Sequence, residues 1–358
     1  MNADPLDLDG HEMVIQCRDA GSGLRAIIAI HDSSAGPAMG GCRIAAYPST
    51  AAALTDALRL SRGMTFKNIM AGLPHGGGKS VILLERPEDK TPALLLAFAE
   101  RVNGLGGRYI TGEDVGSTVA DIQLMRKVTP HVRGIPENGP GDPSPMTALG
   151  VFVGIRKAVL HRLGAETLTG LTVAVQGLGA VGSRLCGLLH DVGARLVVAD
   201  VDPARAREAA DRFGAAIARP EEVHGARADV FAPCALGAVL DAGTIRALGA
   251  AVVAGGANNQ LATAQDGARL AERGILYAPD YVINAGGVIS TALEGPGYER
   301  GELLRRVHGI ADTLGEIFEH AIADGVATSA VADRLALGRL EAARHARRSA
   351  VAALPAAA

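Results

Sequence analysis

Gln176-Gly177-Leu178-Gly179-Ala180-Val181-Gly182 stands between the apolar run Leu171 to Val175 and a segment, Arg184, Leu185, Leu188 and Leu189, with helical spacing. The order is strand, tight glycine turn, helix. In such a turn Gly177 permits the reversal, Gly179 leaves backbone open to a pyrophosphate, and Gly182 lets helix and strand come close. The helix N-terminus adds free N–H groups and the positive end of a dipole. A second apolar run, Leu196 to Ala199, ends in Asp200. That acid lies about 20 residues past the fingerprint, where a carboxylate holds the ribose hydroxyls of NAD and repels the 2′-phosphate of NADP. Glycine makes up 46 of the 358 residues, so the glycine spacing alone carries little. The strand before it, the helix after it and the acid closing the next strand carry the reading.

Downstream the pattern keeps alternating. Strands are expected at 171–175, 195–199, 229–232, 250–254 and 275–277, with helices between them, which predicts a parallel sheet covered on both faces. The strands end in Asp200, Pro233-Cys234-Ala235, Gly255-Gly256-Ala257-Asn258-Asn259 and Pro279-Asp280-Tyr281. Ligands bind at the carboxyl ends of such strands. Asn284-Ala285-Gly286-Gly287-Val288 reads as another glycine turn leading into a helix. Leu303 to Ala323 and Val331 to Arg348 read as amphipathic helices, and the tail Ala350 to Ala358 is expected to fray.

The composition narrows the class. At 358 residues two domains are the natural expectation. Hydrophobic residues at 48% and charged residues at 20% suit a soluble globular protein. A net charge of −3 gives no electrostatic case for nucleic acid or an anionic membrane. Aromatics are 3% and tryptophan is absent, so the interior must be aliphatic. No uninterrupted apolar run reaches about 18 residues, so no membrane-spanning helix is expected. Met1 to His11 is acidic and lacks the basic and apolar blocks of a signal peptide. Cys17, Cys42, Cys186 and Cys234 lie far apart with no metal-ligand spacing, which predicts reduced thiols, no metal and a cytoplasmic enzyme.

Upstream, Glu12 to Ile30 reads as strands, with Ala26 to Ile30 suited to a buried sheet. Gly36-Pro37-Ala38-Met39-Gly40-Gly41 follows, where two glycines leave backbone open to a close neighbour. Ser49 is a plausible N-cap of a helix running towards Gly63. Met64-Thr65-Phe66-Lys67 and Gly76-Gly77-Gly78-Lys79-Ser80 come next, and then a strand, Val81 to Leu84. Pro92 to Val102 reads as a helix closed by Gly104. Tyr109 to Thr111 reads as a short strand delivering Gly112-Glu113-Asp114, and Ala120 to Val128 as a helix.

Lysine normally lies on a solvated surface. Around Lys67 and Lys79 the missing side chains let substrate and backbone crowd the ammonium. Desolvation and a second cation nearby would turn such a lysine towards general-base work. Gly78-Lys79-Ser80 is not a P-loop, because Leu73 occupies the position of its first glycine and a strand follows where a helix should. Asp114, between Gly112 and Gly116, is either a plain turn former or a carboxylate set beside the lysines. Gly134, Pro136, Gly139, Pro140, Gly141, Pro143 and Pro145 mark a junction and a possible hinge. The expected boundaries are 1–135 for a catalytic α/β domain, 136–325 for a Rossmann domain, and 326–358 for a C-terminal helix and tail packing back near the first domain.

Several blocks together resemble the leucine, valine, phenylalanine and tryptophan dehydrogenases, within the Glu/Leu/Phe/Val amino-acid dehydrogenases. They are Gly36 to Gly41, Gly63 to Lys67, Gly76 to Lys79, Gly107 to Val115, Ala232 to Gly237, Gly256 to Gln260 and Tyr277 to Gly287. The resemblance implies a two-domain α/β fold. An N-terminal oligomerisation and substrate domain and a Rossmann domain would flank a cleft, in a homo-oligomer. It implies NAD-dependent, reversible oxidative deamination of a hydrophobic L-amino acid to its 2-oxo acid and ammonia.

By that resemblance Lys79 is the general base and Asp114 assists proton transfer. Lys67 holds the substrate carboxylate with Gly40, Gly41 and Asn259. The side-chain pocket involves Met39, Met64, Gly112, Val288 and Thr291. Thr147, Cys234, Ala235, Ala257, Asn258 and Asn284 line the nicotinamide side. Gly177, Leu178, Gly179, Ala180, Val181, Gly182, Ser183 and Asp200 hold the rest of NAD. Gly112 stands where relatives preferring aliphatic substrates carry alanine, whereas Val288 matches those relatives. Thr291 replaces an apolar residue and Cys42 a threonine. The pocket therefore points to no single amino acid among leucine, valine, phenylalanine and tryptophan. Two other classes compete with this reading. A non-catalytic NAD sensor is opposed by the intact Lys67, Lys79 and Asp114. A hydroxy-acid dehydrogenase would need an Arg/His pair on the cofactor-side loops.

Overall fold

The computed structural model describes residues 10–136, 139, 141–235 and 237–352. Most of the acidic N-terminal stretch, part of the Gly/Pro junction and most of the alanine-rich tail lie outside the described residues. The chain divides into two units. The first is Met1–Asp142, Thr291–Tyr298 and Ala336–Ala358, and the second is Pro143–Ser290 and Glu299–Leu335.

The first unit begins with β1 (Met13–Asp19), β2 (Leu24–Asp32), β3 (Ala38–Met39) and β4 (Cys42–Ala46). It continues with α1 (Thr50–Met70), β5 (Gly76–Leu84), α2 (Pro92–Asn103), β6 (Tyr109–Ile110) and α3 (Val119–Arg126). The sheet order is β1-β2-β5-β3-β6, with β4 also paired to β5. β1, β2 and β5 run antiparallel to one another in turn, and β3 and β4 run parallel to β5. All nine residues of β5 are buried, which fits a central strand covered on both faces. Side chains alternate across that sheet. Ile27, Ala29, Val81 and Leu83 join Ala53 and Ala57 of α1, while Ala26, Ile28, Ile30 and Ile82 join Leu94, Leu95 and Phe98 of α2.

Three expectations are corrected here. α1 does not stop near Gly63 but continues to Met70, so Met64 and Lys67 are helical. A glycine inside a helix costs about 1 kcal/mol, and the burial of Thr65, Phe66, Ile69 and Met70 on the same helix outweighs it. Gly76 to Lys79 form the first part of β5 and not a loop before it. A Cβ on Gly77 would lie 2.1 Å from Thr65 N, and one on Gly78 would lie 2.8 Å from the Tyr109 ring. The glycines are there because α1 and Tyr109 press on the strand. Within Gly36 to Gly41, read as glycine backbone open to a close neighbour, Ala38 and Met39 form β3, and β4 follows directly. The Ser49 cap forms as expected, its Oγ accepting from Ala52 N at 3.1 Å.

The second unit holds α4 (Ser144–Leu163), β7 (Thr172–Gln176), α5 (Ala180–Asp191), β8 (Arg195–Ala199), α6 (Pro203–Phe213) and β9 (Ala216–Ile217). It continues with β10 (Val230–Pro233), α7 (Ala242–Ala247), β11 (Val252–Val253), α8 (Gln265–Glu272), β12 (Leu276–Tyr277) and α9 (Asp280–Ile283). Then come α10 (Gly286–Ala292), α11 (Arg300–His308), α12 (Ile310–Asp324) and α13 (Thr328–Ala352). The sheet order is β12-β11-β10-β7-β8-β9, and every pairing is parallel. The winding therefore reverses between β7 and β10, the switch point at which doubly wound sheets bind ligands.

β9 was not expected. Both of its residues are exposed, so no apolar run marks it. The single helix expected from Leu303 to Ala323 is two, closed and reopened at Gly309. In α13, Thr328 Oγ1 donates to Tyr277 O at 2.6 Å within the second unit. Farther along the same helix, Arg344 Nε donates to buried Asp32 Oδ2 at 2.8 Å within the first. Among the described residues no helix is long and apolar enough to cross a membrane.

Candidate active site

Lys79 lies within β5, opposite Ala29 of β2. Its neighbours leave it 6% exposed. Its Nζ stands 2.6 Å from Asp114 Oδ2. Asp114 sits on the turn after β6, where its N–H donates to Ser117 Oγ at 2.8 Å and its carbonyl accepts from that hydroxyl at 2.8 Å. Burial pushes the Asp114 carboxyl up. The Lys79 ammonium, the hydrogen bond it donates and the Arg43 guanidinium more than offset this, leaving the carboxyl below its ordinary value. Among the described residues Arg43 also lies against Asp114, its Nε 3.3 Å from the same Oδ2.

Of the expected substrate residues of the first unit, Met39, Gly40 and Gly41 lie against β5 or the Asp114 turn, with Met64 beside Gly40. Met39 pairs with Gly77 of β5 and with Ile110 of β6. Gly40 N donates to Ile110 O at 3.1 Å, and Gly40 O accepts from Tyr109 Oη at 2.6 Å. A Cβ on Gly40 would lie 1.9 Å from Gly78 O and 3.1 Å from Met64 Cγ, and one on Gly41 would lie 2.5 Å from Glu113 O and 2.9 Å from Asp114 Cβ. The room left by these two glycines is thus filled by the chain itself. They let the β3–β4 turn close on β5 and on the Asp114 turn. Gly112 accepts from Cys42 N at 2.8 Å, and a Cβ there would meet Arg133 O at 3.1 Å. Lys67 is half-buried, one turn beyond Met64 on α1. Thr291 is half-buried in the same unit. Asn259 and Val288 belong to the second unit.

In the second unit the fingerprint takes the conformation its glycines permit. Gly177 has φ +92°, a left-handed value that glycine tolerates. A Cβ on it would lie 2.7 Å from Ala235 N, so the loops after β7 and β10 touch at the switch point. A Cβ on Gly182 would lie 1.9 Å from Gly177 O, whereas one on Gly179 would meet nothing within 4 Å. Leu178 is buried and leads into Gly179, the N-cap of α5. Ala180 and Val181 form the first turn of α5, and Ser183 Oγ donates to Gly179 O at 2.9 Å. Asp200, after β8, accepts from Leu178 N at 2.6 Å and from Asp202 N at 2.8 Å.

Cys234 and Ala235 follow β10. Cys234 Sγ accepts from Gly256 N at 3.4 Å, and burial pushes its thiol up to about 11. Asn284 Nδ2 donates to Asn258 Oδ1 at 2.8 Å and lies 3.4 Å from Ala257 O, while Asn284 Oδ1 is buried and unpartnered. Asn259 is held at φ +51°. Thr147 Oγ1 donates to Pro143 O at 3.0 Å and would meet a Cβ on Gly287 at 2.5 Å. Cys234, Ala235, Ala257, Asn258 and Asn259 follow the carboxyl ends of β10 and β11.

Arg43 is one residue that sequence reading missed. Its only signal was a lone cation between the buried Cys42 and Ile44. Tyr109 was missed as well. It was quoted as part of a strand, and its hydroxyl proves to lie within 3.0 Å of Ser80 Oγ as well as bonding Gly40.

The profile of the family described as Glu/Leu/Phe/Val dehydrogenase, dimerisation domain, matches residues 11–131. That of Glutamate/Leucine/Phenylalanine/Valine dehydrogenase matches residues 139–204 and 204–329. The leucine dehydrogenase of Bacillus cereus is 48% identical over 344 residues, 96% of this chain and 94% of its own. The L-tryptophan dehydrogenase of Nostoc punctiforme is 48% identical over 345 residues, 96% of this chain and 97% of its own. The crystal structure of L-tryptophan dehydrogenase from Nostoc punctiforme superposes with a TM-score of 0.81 at 46% identity, covering 94% of this chain and 97% of that one. With nearly its whole length matched, the chain belongs to the glutamate/leucine/phenylalanine/valine dehydrogenase family, oxidoreductases acting on CH–NH2 donors.

Proposed function

We propose that the chain catalyses the NAD-dependent, reversible oxidative deamination of a hydrophobic L-amino acid to its 2-oxo acid and ammonia. The observation that carries this reading is the buried Lys79–Asp114 pair, 2.6 Å apart, in a chain whose second unit bears a dinucleotide fingerprint. The residues present fit NAD. Backbone at Gly179 is open, the α5 N-terminus follows it, and the carboxylate of Asp200 closes β8. Each Asp200 oxygen already accepts one amide and keeps a further lone pair for a ribose hydroxyl. Asn284 and Thr147 would orient the nicotinamide carboxamide. Bound NAD would supply the acceptor for the hydride leaving the substrate Cα.

The rest falls to side chains of this protein. The Lys67 ammonium would hold the substrate carboxylate by a charge-assisted bond. Met39, Met64, Gly112, Val288 and Thr291 would line the side chain. Loss of the Cα hydride from the ammonium form of the substrate, with one amino proton released to water, leaves a protonated imine. Lys79, in its neutral form, would take a proton from the water that attacks the imine carbon. Asp114 would accept and return that proton across the short contact with Lys79. The C–N bond then breaks, with ammonia carrying off a proton and the carbonyl forming. The same residues run the steps backwards for amination.

A homo-oligomer is proposed because the N-terminal match is to a family described as a dimerisation domain. The four cysteines are free thiols, as in a reducing compartment, and a cytoplasmic location is proposed on that ground. NADH formation followed with NAD and a panel of L-amino acids tests the function. Turnover with leucine, valine, phenylalanine or tryptophan is expected. Absence of turnover with all of them, despite NAD binding, would leave the chain a sensor.

A further inference from the structure

Asp114 is held from two strands. Lys79 of β5 and Arg43 of β4 reach the same oxygen, Oδ2, at 2.6 and 3.3 Å. β4 pairs with β5 so that Arg43 lies opposite Val81. Lys79 and Val81 are two residues apart on β5 and so share one face of the sheet, the face covered by α1. Arg43 is anchored on that face as well. Its Nη1 lies 2.8 Å from Asp56 Oδ2 of α1. The same Asp56 oxygen accepts from Tyr47 Oη at 2.7 Å, and its other oxygen is 3.2 Å from Arg59. A continuous polar chain therefore runs from Tyr47 through Asp56 and Arg43 to Asp114 and Lys79. Nothing in the reaction as derived above uses its first three members.

We propose that Arg43 is a positioning residue for the Lys79–Asp114 pair, fixing where Asp114 Oδ2 stands and keeping that carboxylate ionised beside the lysine. The inference rests on the function proposed above. Two properties of guanidinium suit the task. It stays charged at any working pH, and its planar fork can serve two carboxylates in fixed directions. Arg43 contributes Nε to Asp114 and Nη1 to Asp56, so it cannot swing away from one without losing the other. Its side chain is 23% exposed, and solvent screens it only in part. The other groups bearing on Asp114 are Glu113 beside it on the turn, Cys42 on β4 and Tyr109 on β6. Burial pushes Glu113 up, Cys42 up to about 12, and Tyr109 up as well. None of these three supplies positive charge.

Removing a cation makes such a pair hold its proton more tightly, and the pH limb it controls belongs to the pair as a whole. The test uses the full-length enzyme with NAD and its best amino acid. For Arg43→Gln the acid limb of kcat should move up by on the order of one pH unit. At a pH on that limb kcat should fall about tenfold, while KM for the amino acid stays nearly constant, since ground-state binding is untouched. Arg43→Lys restores the charge without the fork and should bring the limb back towards wild type. If the Gln variant does not fold, Arg43→Met, whose stem fills the same half-buried space, takes its place. A neutral variant with wild-type melting and an unmoved acid limb overturns the inference. So does a Lys variant whose limb sits as high as that of the neutral one. Lys79→Ala separates the two levels of argument. If it retains turnover, the proposed base is wrong. If it is inactive and Arg43→Gln keeps the wild-type limb, only the role of Arg43 is wrong.

Discussion

Lys79, in the middle of a fully buried strand, and Asp114, on a turn beyond a two-residue strand, meet at 2.6 Å. A buried ammonium without a partner is costly, and a carboxylate at that distance offsets the cost. The contact would also give a proton a direct path between the proposed base and the carboxylate. Both lysines proposed to act on substrate stand on regular elements, β5 and α1, which hold functional groups more rigidly than loops do.

Replacing Lys79 with alanine should lower NADH formation by about a thousandfold, within the range that loss of a general base produces. NAD affinity should change little, because the fingerprint belongs to the other unit. Initial rates and an NAD fluorescence titration check the two halves separately. Rates near wild type would remove Lys79 as the base.

The stability supplied by Asp114 should depend on pH in a defined direction. Its carboxyl lies below the ordinary value in the folded protein. The ionised form therefore stabilises the fold fully above the unfolded value of about 4. That contribution fades as pH falls through the lower folded value. Asp114→Asn should thus melt below wild type near neutral pH, and the gap should narrow below about pH 4. Thermal melts at several pH values measure it. A gap that stays constant into acid would mean that ionisation of Asp114 contributes nothing to the fold.

The glycines of the fingerprint should separate folding from binding. Gly182→Ala puts a Cβ 1.9 Å from Gly177 O, forcing α5 outward at a cost of about 1–3 kcal/mol and weakening NAD binding with it. Gly179 has φ −68° and ψ −164° and open space beside it, so Gly179→Ala should melt within about 0.5 kcal/mol of wild type yet bind NAD poorly. Normal NAD affinity in that variant would show that no pyrophosphate passes over Gly179.

Asp200→Asn should erode the preference for NAD over NADP by about tenfold, or ~1.4 kcal/mol. The amide keeps an acceptor for a backbone N–H but loses the charge that repels a 2′-phosphate. Competition between the two cofactors under one set of conditions measures the ratio. An unchanged ratio would place the ribose elsewhere.

Much of the second unit was legible in the residues. The runs at 171–175 and 195–199 become β7 and β8 with at most a one-residue shift. Parallel core strands write themselves as unbroken apolar runs, and the glycine turn between them is a local constraint. The first unit was harder. Gly63 read as a helix end, and the strand was expected to start only at Val81, after Gly76 to Gly78, because glycine permits many conformations. What decides otherwise is distant in the chain: Thr65 pressing on Gly77 and the Tyr109 ring on Gly78. Arg43 was illegible for the same reason. Its two carboxylate partners lie on α1 and after β6, and no spacing rule links three such elements.

Local sequence thus determined where the backbone could turn, which runs would be buried and at which strand ends the glycine loops would lie. Each of these follows from side-chain volume, polarity and φ over a few neighbouring residues. Only the tertiary structure decided which charges would meet. The pairing of Lys79 with Asp114 and of Asp114 with Arg43 depends on strands β4, β5 and β6 lying in one sheet. An ion pair is a matter of distance in space, and the order of residues along the chain does not contain that distance until the sheet has formed.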